Sequence, residues 1–455
     1  MEATKKSFGE VDFLHGSILK ALIIFAIPVL VSNIFQQLYN TADTMIVGNF
    51  LGDNSLAAIG SCTAIFDLLI GFAMGIGNGM SIVTSRCYGS GDEELLKKSV
   101  AGSLVIWLVS SAVITIIAVL GIYPLLQLLN TPIDIIDEAY SYIIIISLFI
   151  AVMFAYNLCA SMMRAIGNSV MPLVFLVVSS VFNIGLDILF ITQFNMGIAG
   201  AAWATVIAQG CSVILCVVYV LKKTPMLVPE RRHFNVGKEL YMELLGQGMS
   251  MGFMSSIVSV GSVTLQYGIN GLGKLVIAGH TTARKIYMFF NMPFIAVAVA
   301  ASTFVGQNKG ANQPKRIREC LRICYIYDFV MAGIITVIIY FVAPFLVKLV
   351  SGSDSAVVLE NGAMYLRVVG PFYAVLGVLI QSRNALQGIG KKIVPLISSV
   401  IECVGKIIFV IALIPRFQYM AVIFCEPVIW CVMTAQLLYS LYTNPYIKEA
   451  KNSLV

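Results

Sequence analysis

Residues 164–172, RAIGNSVMP, return as residues 387–395, QGIGKKIVP, at an offset of 223 positions (387 minus 164). An Ile-Gly pair and a Pro hold the same places in both copies. Around the basic loop 222–238, three further matches recur at an offset of 221: Leu51-Gly52 with Leu272-Gly273, Ala57 with Ala278, and Gly89 with Gly310. Recurrence at nearly one offset indicates a duplicated chain, in which the second half repeats the first.

The composition indicates that both copies span a membrane. Apolar residues make up 59% of the 455 residues and charged residues 11%, with a mean hydropathy of +0.90, whereas an average soluble chain has about 25% charged residues. A spanning helix needs about 20 apolar residues. The apolar stretches predict twelve spans, at 17–48, 55–85, 99–122, 136–162, 170–193, 197–221, 239–269, 275–306, 319–347, 358–385, 393–414 and 419–441. We therefore expect an all-α integral membrane protein with twelve transmembrane helices in two six-helix lobes related by a pseudo-twofold axis.

The distribution of Lys and Arg predicts the orientation. These residues concentrate in the terminal segments, in the central loop and in the loops after spans 2, 4, 8 and 10, while the opposite loops carry Lys274, Lys348 and Arg416. The positive-inside rule then makes both termini cytoplasmic in a multi-pass protein of the plasma membrane. The predicted domains are a cytoplasmic segment 1–16, an N-lobe 17–221, an inter-lobe loop 222–238, a C-lobe 239–441 and a cytoplasmic tail 442–455. Because this bias accounts for the net charge of +6, we expect no nucleic-acid partner.

Two acids lie at the same expected depth in the first copy. Asp43 follows Lys20 by 23 residues, and Asp187 follows Arg164 by 23, which is about 35 Å along a helix. An ionisable group at membrane depth is costly and by default marks a functional site. The alternative is that both acids only cap bends or bond to neighbouring helices.

Polar side chains accompany these acids. Asn183 precedes Asp187 by one turn and shares its helix face, and Thr205 lies in the outer half of span 6. Gln36 and Tyr39 form a polar stripe with Asp43, although both also suit interhelical hydrogen bonds. Two carboxylates, an amide and a hydroxyl at one level can bind a proton or a small hard cation such as sodium.

In the second copy the sequence predicts one buried acid, Glu402, with Lys406 one turn further on. This spacing suits a neutralising pair, so Glu402 is either a substrate contact or part of a structural pair. Arg284 on span 8 either contacts substrate, extends toward the membrane surface or pairs with Glu402.

Several runs together resemble the multidrug and toxic compound extrusion (MATE) family: LYNTADTMIVGNFLG at 38–52, NIGLD at 183–187, GIAGAAWAT at 197–205 and the two duplicated loops. The resemblance covers essentially the whole chain. It implies a secondary active antiporter that exports organic, usually cationic, compounds in exchange for H+ or Na+ by rocker-switch alternating access.

The resemblance also implies a site. In the branch with a cation site in the N-lobe (DinF-like), the site residues correspond to Asp43, Asn183, Asp187 and Thr205, which would be metal ligands only if the coupling ion is Na+. The other branch carries acids on spans 7, 8 and 10, where this chain has Gln266, Arg284, Lys285 and Arg383. Candidate substrate-binding residues are Gln36, Tyr39, Tyr142, Asn157, Glu402 and Arg284.

Two alternatives remain. A lipid-linked oligosaccharide flippase of the same superfamily would commonly have fourteen spans and a more cationic cavity. A membrane-embedded enzyme would need a nucleophile-base pair or metal ligands, and the three histidines have no such spacing. We expect no enzyme activity, no cofactor apart from the coupling ion, small organic substrates and membrane lipids as partners, and a monomer.

Overall fold

The computed structural model describes residues 9–129 and 131–452. The predicted terminal segments 1–16 and 442–455 therefore lie partly outside the described residues. The described chain is helical apart from turns and one isolated bridge between Glu10 and Asn168. The α-helices are α1 Ile18–Leu51, α2 Asp53–Gly89, α3 Glu93–Leu128, α4 Ile133–Leu148, α5 Ile150–Ala165, α6 Val170–Ile188, α7 Ile198–Lys223, α8 Lys238–Asn270, α9 Lys274–Gly310, α10 Pro314–Ser351, α11 Ala356–Val369, α12 Tyr373–Gly388, α13 Ile393–Ile408, α14 Ile414–Phe417, α15 Tyr419–Thr443 and α16 Pro445–Asn452.

The spans match the prediction. Within the described residues, eleven helical stretches are long and apolar enough to cross a membrane. A twelfth is formed by α4 and α5, which bend by 51° at Phe149. The expected all-α fold with twelve spans is confirmed, and span 4 is broken where the sequence predicted one helix.

Side chains of α3 explain how span 4 tolerates its bend. A sharp bend in a membrane helix is tolerated where neighbouring helices supply polar partners to the backbone near it. The indole nitrogen of Trp107 donates to the carbonyl of Ala151 at 3.0 Å, and the hydroxyl of Thr115 donates to the carbonyl of Ser147 at 3.3 Å. The bend is therefore stabilised by hydrogen bonds from a neighbouring helix.

The duplication is visible in the backbone. Gly52 and Gly273 make the tight turns after α1 and α8 with φ of 87° and 95°, a conformation that favours glycine. Span 10 is interrupted by a 3-10 turn at Gly370–Phe372, as span 4 is at Phe149, and spans 5 and 11 each carry a π-helical turn, Leu189–Gln193 and Phe409–Leu413. Matching irregularities indicate that the two copies share one supersecondary plan.

The chain forms two compact units. The first contains the described residues up to Leu14 and Ile27–Ser255, and the second contains His15–Ala26 and the residues from Ser256 onward. Each unit has its own apolar core, and α1 and α8 each contribute to both. The predicted lobe boundaries, 17–221 and 239–441, stay predictions.

Small residues join α2 to the first half of α8 inside the first unit. Gly75 and Gly79 on α2 face Gly248 and Gly252 on α8, and a Cβ atom on Gly75 would come within 2.6 Å of the backbone oxygen of Met251. Glycines four residues apart allow helix backbones to approach closely in a membrane. This approach holds α8 against the first unit.

Candidate functional site

Two acids of the first unit meet in its interior. Asp43 lies on α1 and is 9% exposed, while Asp187 lies in the last turn of α6, just before the π-helical turn, and is fully buried. The two carboxyl groups lie close enough to interact electrostatically. A hydrogen bond between them requires that one carboxyl carry a proton, because two carboxylates can only accept. The arrangement therefore favours uptake of a proton or a cation.

Polar atoms around this pair lack partners. Oδ1 of Asp43, both carboxylate oxygens of Asp187 and both amide atoms of Asn183 are buried and make no hydrogen bond to residues 9–129 or 131–452. Buried polar groups in proteins are almost always bonded, so a cluster of unsatisfied atoms requires a physical reason. Carboxylate and amide oxygens are the ligands that hard cations prefer. Asn183, Asp187 and Asp43 together thus offer oxygens suited to a proton or Na+.

Two tyrosines and a threonine adjoin the pair. The hydroxyl groups of Tyr39 and Thr205 lie 3.5 Å apart, and Tyr39 interacts electrostatically with both acids. Tyr142 on α4 is buried and lies near Tyr39 and the two acids. Thr205 is thus linked to the acid pair by its contact with the hydroxyl of Tyr39.

The remaining candidates of the first unit bond within their own helices. The amide of Gln36 donates to Oδ1 of Asn40 at 3.5 Å, and the amide of Asn157 donates to the carbonyl of Met153 at 2.8 Å. The structure does not bring either amide into a hydrogen bond with the acid pair. Their role as substrate contacts stays a prediction.

The second unit contains a different polar group, in which acids and cations are paired. Arg284 on α9 donates to Glu426 on α15 at 2.5 Å, and the hydroxyl of Tyr365 donates to the same carboxylate at 3.0 Å. The Arg284 guanidinium also lies 4.7 Å from the ring centroid of Tyr287, a favourable cation–π contact.

Further charged residues on α13 and α12 extend this polar group. Lys406 donates to Glu402 at 2.9 Å, which is the pair that the spacing predicted, and its ammonium lies 4.0 Å from Glu426. Arg383 on α12 lies 4.0 Å from the other oxygen of Glu402. Arg284, Glu426, Lys406, Glu402 and Arg383 thus form a chain of alternating charge, which we call the charged chain.

The prediction of a single buried acid in the second copy is wrong. Glu402 is only half-buried, whereas Glu426 and Asp328 are buried there, and Arg284 pairs with Glu426 instead of Glu402. The reason is that Arg284 and Glu426 are on neighbouring helices far apart in sequence, where local spacing carries no signal. Glu426 and Asp328 could have been found by the signal that identified Asp43, which is a single charge within an apolar span. The exposed Asp67 on α2 shows the same signal.

Comparisons with known proteins agree with this fold. The sequence model of the MatE family matches residues 28–189 and 251–411, one match in each copy. The probable multidrug resistance protein YoeA of Bacillus subtilis (strain 168) is 30% identical over 331 residues, which cover 71% of this chain and 72% of that one. The probable multidrug resistance protein YpnP of the same strain is 27% identical over 393 residues, covering 86% and 87%.

Solved structures give the same result for the fold. A crystal structure of MATE in the bent conformation superposes with a TM-score of 0.88 at 22% identity and covers 98% of this chain and 100% of that one. Members of the family are transporters and not enzymes. Because the family matches take in most of both copies, the chain belongs to the MatE family of multi-pass membrane transporters.

Proposed function

We propose that this protein is a multidrug efflux antiporter that exports organic cations in exchange for H+ or Na+. The observation that carries the proposal is the buried pair of Asp43 and Asp187, which has unsatisfied oxygens and, within the described part of the chain, no cationic side chain bonded to it. In an apolar interior such a pair gains stability from any proton or cation that reaches it. Asn183 and Thr205 add an amide oxygen and a hydroxyl, and would complete the oxygen set for Na+.

Exchange follows from competition at this pair. Binding of a proton or Na+ removes the negative charge that attracts a cationic substrate, and a bound substrate disfavours the ion in turn. The two effects must be equal in free energy, because coupling between two ligands is reciprocal. Influx of the ion then drives release of the substrate, with the two lobes rocking between an inward-open and an outward-open state.

The relatives support the substrate class. YoeA and YpnP are named probable multidrug resistance proteins. We propose that this chain likewise acts on several organic compounds as a monomer among membrane lipids, and that it belongs to the branch with the cation site in the N-lobe. The coupling ion is the one additional ligand that the proposal requires.

Efflux in proteoliposomes tests the proposal. Purified protein is reconstituted, ethidium is enclosed, and a pH gradient or a sodium gradient is imposed in separate runs. Asp43→Asn should lose gradient-driven ethidium efflux, while the matched control Asp53→Asn, an exposed acid at the start of α2, should keep it. Wild-type protein that responds to neither gradient would exclude the antiporter.

Orientation needs a separate test. We propose a plasma-membrane protein with both termini and the 222–238 loop in the cytoplasm. Single cysteines replacing Arg231 and Lys391, in a background without the native cysteines, should react only with reagents that enter the cell. A cysteine replacing Asp354, which is 82% exposed at the side chain, should react from outside. Labelling of position 231 by an impermeant reagent would reverse the orientation.

A further inference from the structure

The charged chain of the second unit carries more positive than negative charge. Within the described residues, Arg284, Lys406 and Arg383 form ion pairs with two carboxylates, those of Glu402 and Glu426. The order along the chain is cation, acid, cation, acid, cation, so one cation stands at each end. A surplus cation at membrane depth is costly unless an anion meets it.

The other titratable groups nearby do not remove this surplus. Asp328 accepts from the amide of Gln381 at 3.4 Å. Gln381 and Arg383 are two positions apart on α12, which turns their side chains about 200° from each other. His280 packs edge-on against Tyr365 and Tyr419, and protonation of its ring would only add positive charge.

Arg383, at the other end of the charged chain, has an ion pair with Glu402 at 4.0 Å. Its Nε and Nη2 atoms are buried and make no hydrogen bond to any residue that the structure describes. These two nitrogens lie on the same edge of the guanidinium group. Two parallel donors on one edge match the two oxygens of a carboxylate or phosphate. By contrast, Arg284 at the other end is already bonded to Glu426 and Tyr365.

Exposure differs along the charged chain. The side chains of Arg284, Arg383 and Glu402 remain 32%, 14% and 13% exposed, whereas Lys406 and Glu426 are 3% and 8% exposed. Lys406 and Glu426 thus form the closed part of the charged chain, and Arg284 is its most exposed member. Nε and Nη2 of Arg383 are themselves buried, so an anionic group bonded to them would be shielded from solvent.

We propose that the charged chain is a binding subsite for a carboxylate or phosphate group of a transported organic molecule, with Nε and Nη2 of Arg383 as its donors. This inference rests on the proposed multidrug function and extends it from organic cations to zwitterions and anions. Glu402 limits the affinity, because its carboxylate repels the incoming anion while holding Lys406.

A matched pair of dyes tests the subsite. Tetramethylrhodamine carries a free carboxylate, and tetramethylrhodamine methyl ester differs only by esterification of that group. Binding of each dye to purified protein in phosphatidylcholine nanodiscs is measured by fluorescence anisotropy. Arg383→Gln should weaken binding of the acid dye by about tenfold or more, as expected for loss of a charged hydrogen bond, and should leave the ester dye unchanged. The control Lys285→Gln removes an exposed cation beside Arg284 and should change neither dye.

A second variant protects the test against misfolding. Glu402→Gln removes the repelling carboxylate and should increase affinity for the acid dye, a gain that damage to the fold does not produce. The inference is overturned if Arg383→Gln weakens both dyes equally or neither, or if Glu402→Gln lowers acid-dye affinity. Wild-type protein that binds the ester alone also overturns it, whereas binding of neither dye contradicts the multidrug function.

Lipid phosphate is the other source of the same chemistry. Nanodiscs containing anionic phosphatidylglycerol distinguish the two sources. Unchanged acid-dye binding in these discs supports a substrate subsite. Weaker acid-dye binding to wild type, but not to Arg383→Gln, would assign the free edge of Arg383 to a lipid headgroup and overturn the proposal.

Discussion

The acid pair of the first unit and the charged chain of the second unit occupy duplicate positions. Asn183 is the fourteenth residue of α6 and Lys406 the fourteenth of α13, while Thr205 and Glu426 are the eighth residues of α7 and α15. Tyr142 and Tyr365 each lie seven residues before the phenylalanine at the break of their span, 149 and 372. The two polar groups are therefore two versions of one ancestral arrangement.

The difference between the versions lies in the charges. Asp43 precedes Gly52 by nine residues, and the residue nine before the matching Gly273 is Thr264. At the offset of 223, Asp187 corresponds to Val410. Among the described residues, the first unit has two acids with no cation bonded to them, whereas the second has neither acid at the matching positions and carries Lys406 and Glu426 in its own group. The same scaffold thus leaves two acids without a bonded cation in one copy, whereas in the other copy Glu402 and Glu426 are paired with cations.

The largest expected difference between the acid pair and the charged chain is the loss of stability when one acid is neutralised. Glu426→Gln leaves the part-buried Arg284 without its carboxylate. Breaking a fully buried pair costs about 3 to 5 kcal/mol, so the loss here should be about 3 kcal/mol. Asp187→Asn removes one of two like charges and should not reduce stability. Thermal unfolding of the purified variants in one detergent measures both. The double variant with Arg284→Gln should recover part of the loss, and equal losses for Glu426→Gln and Asp187→Asn would contradict the contrast.

Removing a tyrosine hydroxyl should also cost more stability in the second unit than in the first. Tyr365→Phe removes a 3.0 Å hydrogen bond to a buried carboxylate and should cost about 1.5 to 3 kcal/mol. Tyr39→Phe removes a 3.5 Å contact between two neutral hydroxyls, with an expected loss below about 1 kcal/mol. The same unfolding measurement ranks the two variants, and the reverse order would show that the second group is not the tighter one.

The glycine contact of the first unit gives a smaller test of packing. Gly75 matches Ala296 at the offset of 221, so the second copy carries a methyl group where the first has none. Gly75→Ala would push against the backbone of Met251 and should cost about 1 to 3 kcal/mol. Gly60→Ala, on the same helix with nothing within 4 Å, is the matched control. A neutral Gly75→Ala would mean that α2 and α8 separate easily.

The sequence predicted the spans well because each needs a long apolar run, which composition reveals directly. It missed the breaks in spans 4 and 10. Span 4 bends where Trp107 and Thr115 supply hydrogen bonds from another helix, and no local pattern at Phe149 indicates that support.

The candidate site was predictable to the extent that charge is scarce in a membrane helix. Asp43 and Asp187 were found by depth, Asn183 by the spacing of one turn, and Lys406 with Glu402 by the same rule. The pairing of Arg284 with Glu426 was not, since it joins α9 to α15. Contacts between distant helices depend on tertiary packing and leave no periodic signal.

Ion dependence of substrate binding tests the central claim most directly. Ethidium affinity of purified wild type, Asp43→Asn and Glu402→Gln is measured by fluorescence titration over a range of pH and, separately, of sodium concentration. Wild type and Glu402→Gln should lose affinity as protons or sodium ions increase, because the ion neutralises the acid pair. Asp43→Asn should bind with little dependence on either ion. If Asp43→Asn keeps the wild-type dependence, or if Glu402→Gln loses it, the acid pair of the first unit is not the coupling site.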